Sequence, residues 1–169
     1  MRSAWIAIMV AGCGGAPAQP SDCAEPAPIA LVIEATERLN PDPDGRALPT
    51  ELRLYQLRDA AGAETASFED LWERAPEVLG DALVSEESLT LYPGERLERA
   101  LAPDPQTTTI LAVAIVRAPA GRTWRALVPM SRSSTSSEAC PRLQPGQLLL
   151  RLDDHRIEAI TPRPPETRG

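Results

Sequence analysis

The stretch Ile29–Leu57, IALVIEATERLNPDPDGRALPTELRLYQL, holds two β-patterned segments separated by one that can be neither helix nor strand. Ile29 to Ala35 is an apolar run whose one charge is Glu34, the pattern of a strand buried over most of its length. Glu51 to Leu57 alternates, with Leu52 and Leu54 on one face and Arg53 and Tyr55 on the other, as a half-buried strand would. Between them, Asn40-Pro41-Asp42-Pro43-Asp44-Gly45-Arg46 is a dense run of turn formers. Proline lacks the N–H that a helix or ladder needs, and Asn and Asp bond to their own backbone instead. The connection from Thr36 to Pro49 is longer than the roughly two to five residues usual in a hairpin. Long loops on strand scaffolds are where binding residues sit, although a surface excursion held by Asx-turns would read the same way.

Working outward, Asp59 to Ala63 turns the chain, and Ser67-Phe68-Glu69-Asp70 opens like a capping box. Phe68, Leu71, Trp72, Val78 and Leu79 then recur at helical spacing, broken at Ala75-Pro76 and stopped at Gly80. This predicts a small helical insertion over about 67–80. Ser88–Tyr92 and Glu95–Leu101 alternate on either side of Pro93-Gly94, a type II turn pair that splays a tight hairpin and fits a corner as well. Thr109–Arg117 is the most apolar run after the leader and reads as a central strand, followed by Trp124–Pro129. Ser131–Ala139 is a polar loop. Gln147–Leu152 and Arg156–Ile160 pair across Asp153-Asp154-His155. About eight short strands with one helical insertion predict an all-β sandwich over 29–161, with 162–169 a disordered tail.

The whole chain has 169 residues, enough for one such domain. Eighteen prolines against ten glycines argue against a helical bundle, and three Trp, two Tyr and one Phe leave the core mostly aliphatic. A net charge of −7, spread along the chain, excludes a nucleic-acid surface, which needs a basic stripe. No catalytic constellation assembles. Asp153-Asp154-His155 holds the one histidine and reads as a turn, and Ser133–Ser137 lies in no nucleophile elbow. Asn40, Asp42 and Asp44 alternate as calcium ligands do, but prolines occupy two of the intervening positions and the distant glutamate is missing. The expectation is therefore no enzyme, no cofactor, no metal and no small-molecule substrate.

The N-terminus carries a different kind of signal. Met1-Arg2-Ser3, the apolar run Ala4–Ala11, and Gly12-Cys13 form the charged start, short core and small-residue cut of a secretory leader over 1–12. Val10-Ala11-Gly12-Cys13 resembles a bacterial lipobox, which makes Cys13 the acylated first residue of the mature protein; the alternative is a buried thiol. The run is shorter than the roughly 20 residues a membrane span takes. By resemblance to sorted lipoproteins, Gly14 after Cys13 favours the outer membrane. Residues 13–28, proline-rich and without periodicity, read as the acylated cysteine and a flexible tether. Acylation of Cys13 leaves Cys23 and Cys140 as an even pair, joined in an oxidising compartment or left as two separate thiols.

Leu39-Asn40-Pro41-Asp42, Gly45-Arg46, Pro49 and Arg53-Leu54-Tyr55-Gln56-Leu57 together resemble the outer-membrane lipoprotein of the type VI secretion system, the TssJ family. The resemblance runs on through Phe68-Glu69-Asp70-Leu71-Trp72, Leu79-Gly80, Tyr92-Pro93-Gly94-Glu95 and Trp124-Arg125, in order, over about residues 29–130. Ala47 departs from it, standing where proline is commoner. The resemblance implies a transthyretin-like β-sandwich held at the outer membrane by N-terminal acyl chains, facing the periplasm. Its partner would be the periplasmic C-terminal domain of the inner-membrane subunit TssM. The contact would map onto the Thr36–Pro49 loop, with Asn40, Pro41, Asp42, Asp44, Gly45 and Arg46 as candidate residues. The other reading is an outer-membrane lipoprotein with a small-ligand pocket in the sandwich.

Overall fold

A computed structural model describes residues 27–121, 123–132 and 143–161. The leader, Cys13, the tether through residue 26 with Cys23, most of the serine-rich run, Cys140 and the tail from 162 lie outside the described residues.

Two four-stranded sheets face each other. The first runs β10 (Arg156–Ile160), β9 (Gln147–Asp153), β1 (Ile29–Ala35), β4 (Arg96–Leu101). The second runs β3 (Leu83–Leu91), β2 (Thr50–Leu57), β5 (Thr109–Ile115), β6 (Arg125–Pro129). A ribbon of β7 (Ser131–Arg132) and β8 (Leu143–Gln144) lies outside both, so the first residues of the expected polar loop are strand. Every described pairing is antiparallel except β1 with β9, which runs parallel with Ile33 opposite Leu150. Fully buried Leu31, Ile33, Leu52, Ile110, Leu148 and Leu150 belong to one aliphatic cluster with residues from both sheets. The structure is the all-β sandwich that strand spacing predicts.

Three places differ from the alternation pattern. Tyr55 is fully buried, because the other face of β2 is covered by α1 (Ala61–Thr65), α2 (Phe68–Glu73) and α3 (Ala75–Leu79). Its hydroxyl donates to the Leu71 carbonyl at 3.3 Å, while Arg53 Nη1 donates to that of Trp72 at 2.7 Å. The helical stretch therefore opens at Ala61, earlier than the capping box at Ser67, and ends in a 3₁₀ turn at Gly80–Ala82. Second, β3 starts at Leu83 rather than Ser88; an edge strand accommodates charge, and Glu87 pairs with Arg99 of the facing sheet. Third, of the hairpin and the corner that Pro93-Gly94 left open, the structure has the corner: β3 and β4 lie in different sheets, and Gly94 takes φ +78.

Buried Arg125 ties the insertion to the sheet. Its guanidinium donates to the carbonyls of Ala66 and Glu64, both at 2.8 Å, and to that of Ala63. Those are carbonyls at the end of α1, where a helix lacks internal partners and a cation is favoured. The same guanidinium stacks 4.9 Å from the Trp124 ring. Ser67 caps α2 as its sequence predicts, accepting from the Asp70 N–H at 3.1 Å while the Asp70 carboxylate accepts from the Ser67 N–H at 3.1 Å.

Strand direction sorts the connections into two poles. The β1–β2, β3–β4, β5–β6 and β9–β10 connections all leave at one end. The chain enters at the other end, where Ile29 pairs with Leu101 and Ala30 N–H donates to the Gly146 carbonyl at 3.0 Å. β1 separates the poles by about 20 Å, seven residues at strand rise.

Candidate functional site

The loop at residues 36–49 has an inner and an outer half. Leu39 is fully buried and Asn40 is only 4% exposed, with φ 45 in the left-handed region that asparagine tolerates. The Asn40 side chain bonds in three directions: Nδ2 donates to Thr50 Oγ1 at 3.1 Å and to the Pro49 carbonyl at 3.5 Å, and Oδ1 accepts from the Arg117 N–H at 2.8 Å. Thr50 in turn donates to the Ile115 carbonyl at 2.7 Å. One side chain thus joins both ends of the loop to the β5–β6 connection.

Asp42 does the corresponding work one turn outward. Its Oδ1 accepts from the N–H groups of Asp44 at 3.0 Å and Arg46 at 2.9 Å, and its backbone closes on Arg46 and Gly45 at 2.9 Å. The Arg46 N–H holds the Asp42 carboxyl below the usual carboxylate range, with smaller contributions from the Asp44 N–H and the charges of Arg46 and Arg117. Gly45 sits at φ +82, where a side chain would be strained. The calcium-like alternation of Asn40, Asp42 and Asp44 therefore serves a different end: Asn40 and Asp42 direct their oxygens at backbone N–H groups of this chain. Pro43, Asp44, Gly45 and Arg46 are exposed, and the Arg46 guanidinium reaches back to Asp42 at 3.3 Å.

The β9–β10 turn braces the loop from beneath. Asp153 accepts from the Thr36 hydroxyl at 2.7 Å and from Arg38 Nη2 at 2.8 Å, and the Thr36 bond, with help from Arg38, depresses its pKa. The Asp154 carbonyl accepts from the Asn40 N–H at 2.8 Å, with Asp154 at φ 56. The His155 ring lies between the Asp154 carboxylate, 2.9 Å from Nδ1, and the Pro41 carbonyl, 3.2 Å from Nε2. The cluster is a turn that clamps the loop.

The sequence model of the T6SS-SciN family, type VI secretion lipoprotein, VasD, EvfM, TssJ, matches residues 27–155. The chain belongs to the type VI secretion lipoprotein family. Among solved structures it is similar to the T6SS lipoprotein TssJ1 from Pseudomonas aeruginosa, with a TM-score of 0.70 and 28% identity over 83% of this chain and 99% of that one. It shares its fold with Lip of Serratia marcescens, a membrane-bound component of the type VI secretion system, at TM-score 0.65 and 20% identity, covering 79% of this chain and 96% of that one. The same fold occurs in the structure described as the T6SS protein TssM C-terminal domain from EAEC, at TM-score 0.63 and 20% identity, covering 79% and 97% of the two chains. No significant match was found among curated proteins.

Type VI secretion lipoproteins are components of a secretion machine rather than an enzyme family. Among the described residues of this one, no helix is long and apolar enough to cross a membrane. The loop residues singled out in its sequence separate by role: Asn40, Pro41 and Asp42 face inward or brace the turn, and Asp44, Gly45 and Arg46 are displayed. Sequence reasoning placed Thr36 and Arg38 inside the loop without singling them out, missed Thr50 and Arg117 as parts of the site, and read Asp153–His155 only as a turn. It also read Trp72 as one of the apolar positions of a packed helix. Leu71 is buried, but Trp72 is 47% exposed and walls a cleft of about 490 Å³ with Phe68, Glu69, Glu73, Ile115, Val116, Arg117 and Pro119. Tyr92, 58% exposed in the β3–β4 corner, lies at the same pole.

Proposed function

We propose that this lipoprotein anchors the type VI membrane complex at the outer membrane by binding the periplasmic C-terminal domain of TssM. Residues 1–12 are its signal peptide, Cys13 carries the acyl chains, residues 13–28 form the tether and residues 29–161 fold as the periplasmic domain. In this reading Asp44, Gly45 and Arg46 make the contact, while Asn40, Pro41 and Asp42 hold them in place. The observation that carries it is the polarity of the domain: the chain enters at Ile29 while the braced loop stands at the opposite pole. A tether drawn to the membrane at one pole leaves the loop directed away from it. Membership of the type VI secretion lipoprotein family supports a partner within the same machine.

The test is capture of the TssM periplasmic domain by protein lacking residues 1–22. Unaltered protein should bind, and replacing Pro43–Arg46 with a Gly/Ser linker should weaken binding about tenfold or more, as loss of a central contact does. Binding indifferent to the replacement would remove the loop from the site. Cys13→Ser should abolish flotation with outer membranes. Cys23 and Cys140 are proposed to be joined, and mass spectrometry of the alkylated, unreduced protein would find two free thiols if they are not.

A further inference from the structure

Trp72 is a large exposed apolar side chain in a cleft whose lining also holds an apolar floor and two glutamates. Its indole packs on Phe68, ring centroids 6.0 Å apart, and Ile115, Val116 and Pro119 complete the apolar side of the cleft. Glu69 and Glu73 stand one helical turn apart on α2, both exposed, with Trp72 between them in sequence. Neither makes a hydrogen bond or ion pair among the described residues, and the neighbouring Arg74 is itself bonded to Asp70 at 2.5 Å. The far wall is Arg117, whose backbone N–H is bonded to the Asn40 side chain, so the cleft and the loop share one support.

We infer that the Trp72 cleft is a second docking point for the protein partner, and that its occupant is an arginine of the partner beside a bulky apolar residue. Three features of the cleft converge on that chemistry. The apolar floor suits an aliphatic stem or a neighbouring side chain; the indole attracts a guanidinium through its π face; and the two carboxylates outnumber the one cation of the lining, Arg117, leaving the cleft net acidic. Lysine would satisfy the charge with less planar stacking. The loop and the cleft then act as two parts of one surface at the pole away from the tether. This inference rests on the reading of that pole as the partner site.

The experiment measures affinity for the TssM periplasmic domain by calorimetry, on protein lacking residues 1–22, for Trp72→Ala, Trp72→Phe, the Glu69→Gln/Glu73→Gln pair and the Pro43–Arg46 replacement. Thermal melts confirm that each variant is folded. Trp72→Ala should weaken binding about tenfold, and Trp72→Phe should recover part of the loss. The glutamine pair should weaken binding several-fold at low salt, with the difference shrinking as salt is raised. If the loop replacement abolishes binding while both cleft variants bind normally, the cleft inference is overturned and the partner assignment stands. Binding that survives every change, the loop's included, overturns this pole as the partner site and the cleft inference with it, whereas no binding by the unaltered protein overturns the partner assignment itself. A Trp72 effect without any glutamate effect at low salt would overturn the cationic occupant. A self-association abolished by Trp72→Ala, seen by sedimentation without TssM, would make the occupant a second copy.

Discussion

The two connections that flank β2 are built by opposite means. Before it, residues 36–49 keep almost no regular structure and are fixed by directional bonds from a few polar side chains, with Leu39 their one fully buried apolar residue. After it, residues 58–82 coil into helices that cover the outer face of the second sheet, held by Leu71, Ala63, Ala75 and Leu79 in the core and by Arg125 beneath. The loop gains order without area, which leaves its tip free to meet another molecule. The insertion gains order through area, and displays only what the core does not need, Trp72 among it.

The comparison predicts a graded set of outcomes. Arg125→Ala should be the most damaging, leaving the carbonyls of Ala63, Glu64 and Ala66 short of a buried donor, at a cost of about 3 kcal/mol in urea denaturation. Amide exchange at Asp44 and Arg46 should stay unchanged; a loosened tip would mean that the two connections are coupled and break the comparison. Asn40→Ala should cost about 2 kcal/mol, since it orphans the Arg117 N–H and forces alanine to φ 45. Asn40→Gly removes the same bonds without the strain, so the two variants should differ by about 1 kcal/mol and divide the effect. Gly45→Ala should cost about 1 kcal/mol through backbone strain alone, because nothing lies within 4 Å of an added Cβ.

The smallest effect is one of pH. Asp42 and Asp153 both have carboxyls held below their ordinary 3.8, by the Arg46 N–H and the Thr36 hydroxyl respectively. A carboxylate depressed in the folded state contributes stability that is present above its ordinary value and lost as pH falls through the depressed one. Exchange of the Asp44 and Arg46 amides should therefore quicken below 3.8, ahead of global unfolding, while amides under the helical insertion stay protected. Simultaneous loss of both would show that the loop has no separate electrostatic hold.

Much of this was open to reading in the sequence, and the rest follows a pattern. β1, β5 and β9 were legible because their apolar runs or alternations are strong and uninterrupted. The start of β3 was not, since Glu86 and Glu87 look like surface residues until Arg99 arrives from the other sheet. Tyr55 looked solvent-facing because alternation reports two faces and not what covers each. At the site, the loop itself was visible as proline and Asx chemistry. Its clamp was hidden, because Thr36 and Asp153 are 117 residues apart and meet only through the parallel pairing of β1 with β9, which brings both carboxyl ends to one pole.

That parallel pairing also decides how the domain would carry load. A pull on the tether, resisted by a partner at the far pole, runs along β1 from Ile29 toward Ala35. β1 is an inner strand, laddered to β4 on one side and β9 on the other by bonds that lie across the line of pull. Such force shears both ladders at once instead of peeling them open one bond at a time. In the proposed anchor, the strand that would lead out to the membrane is the one that has to slip past two neighbours before the domain yields.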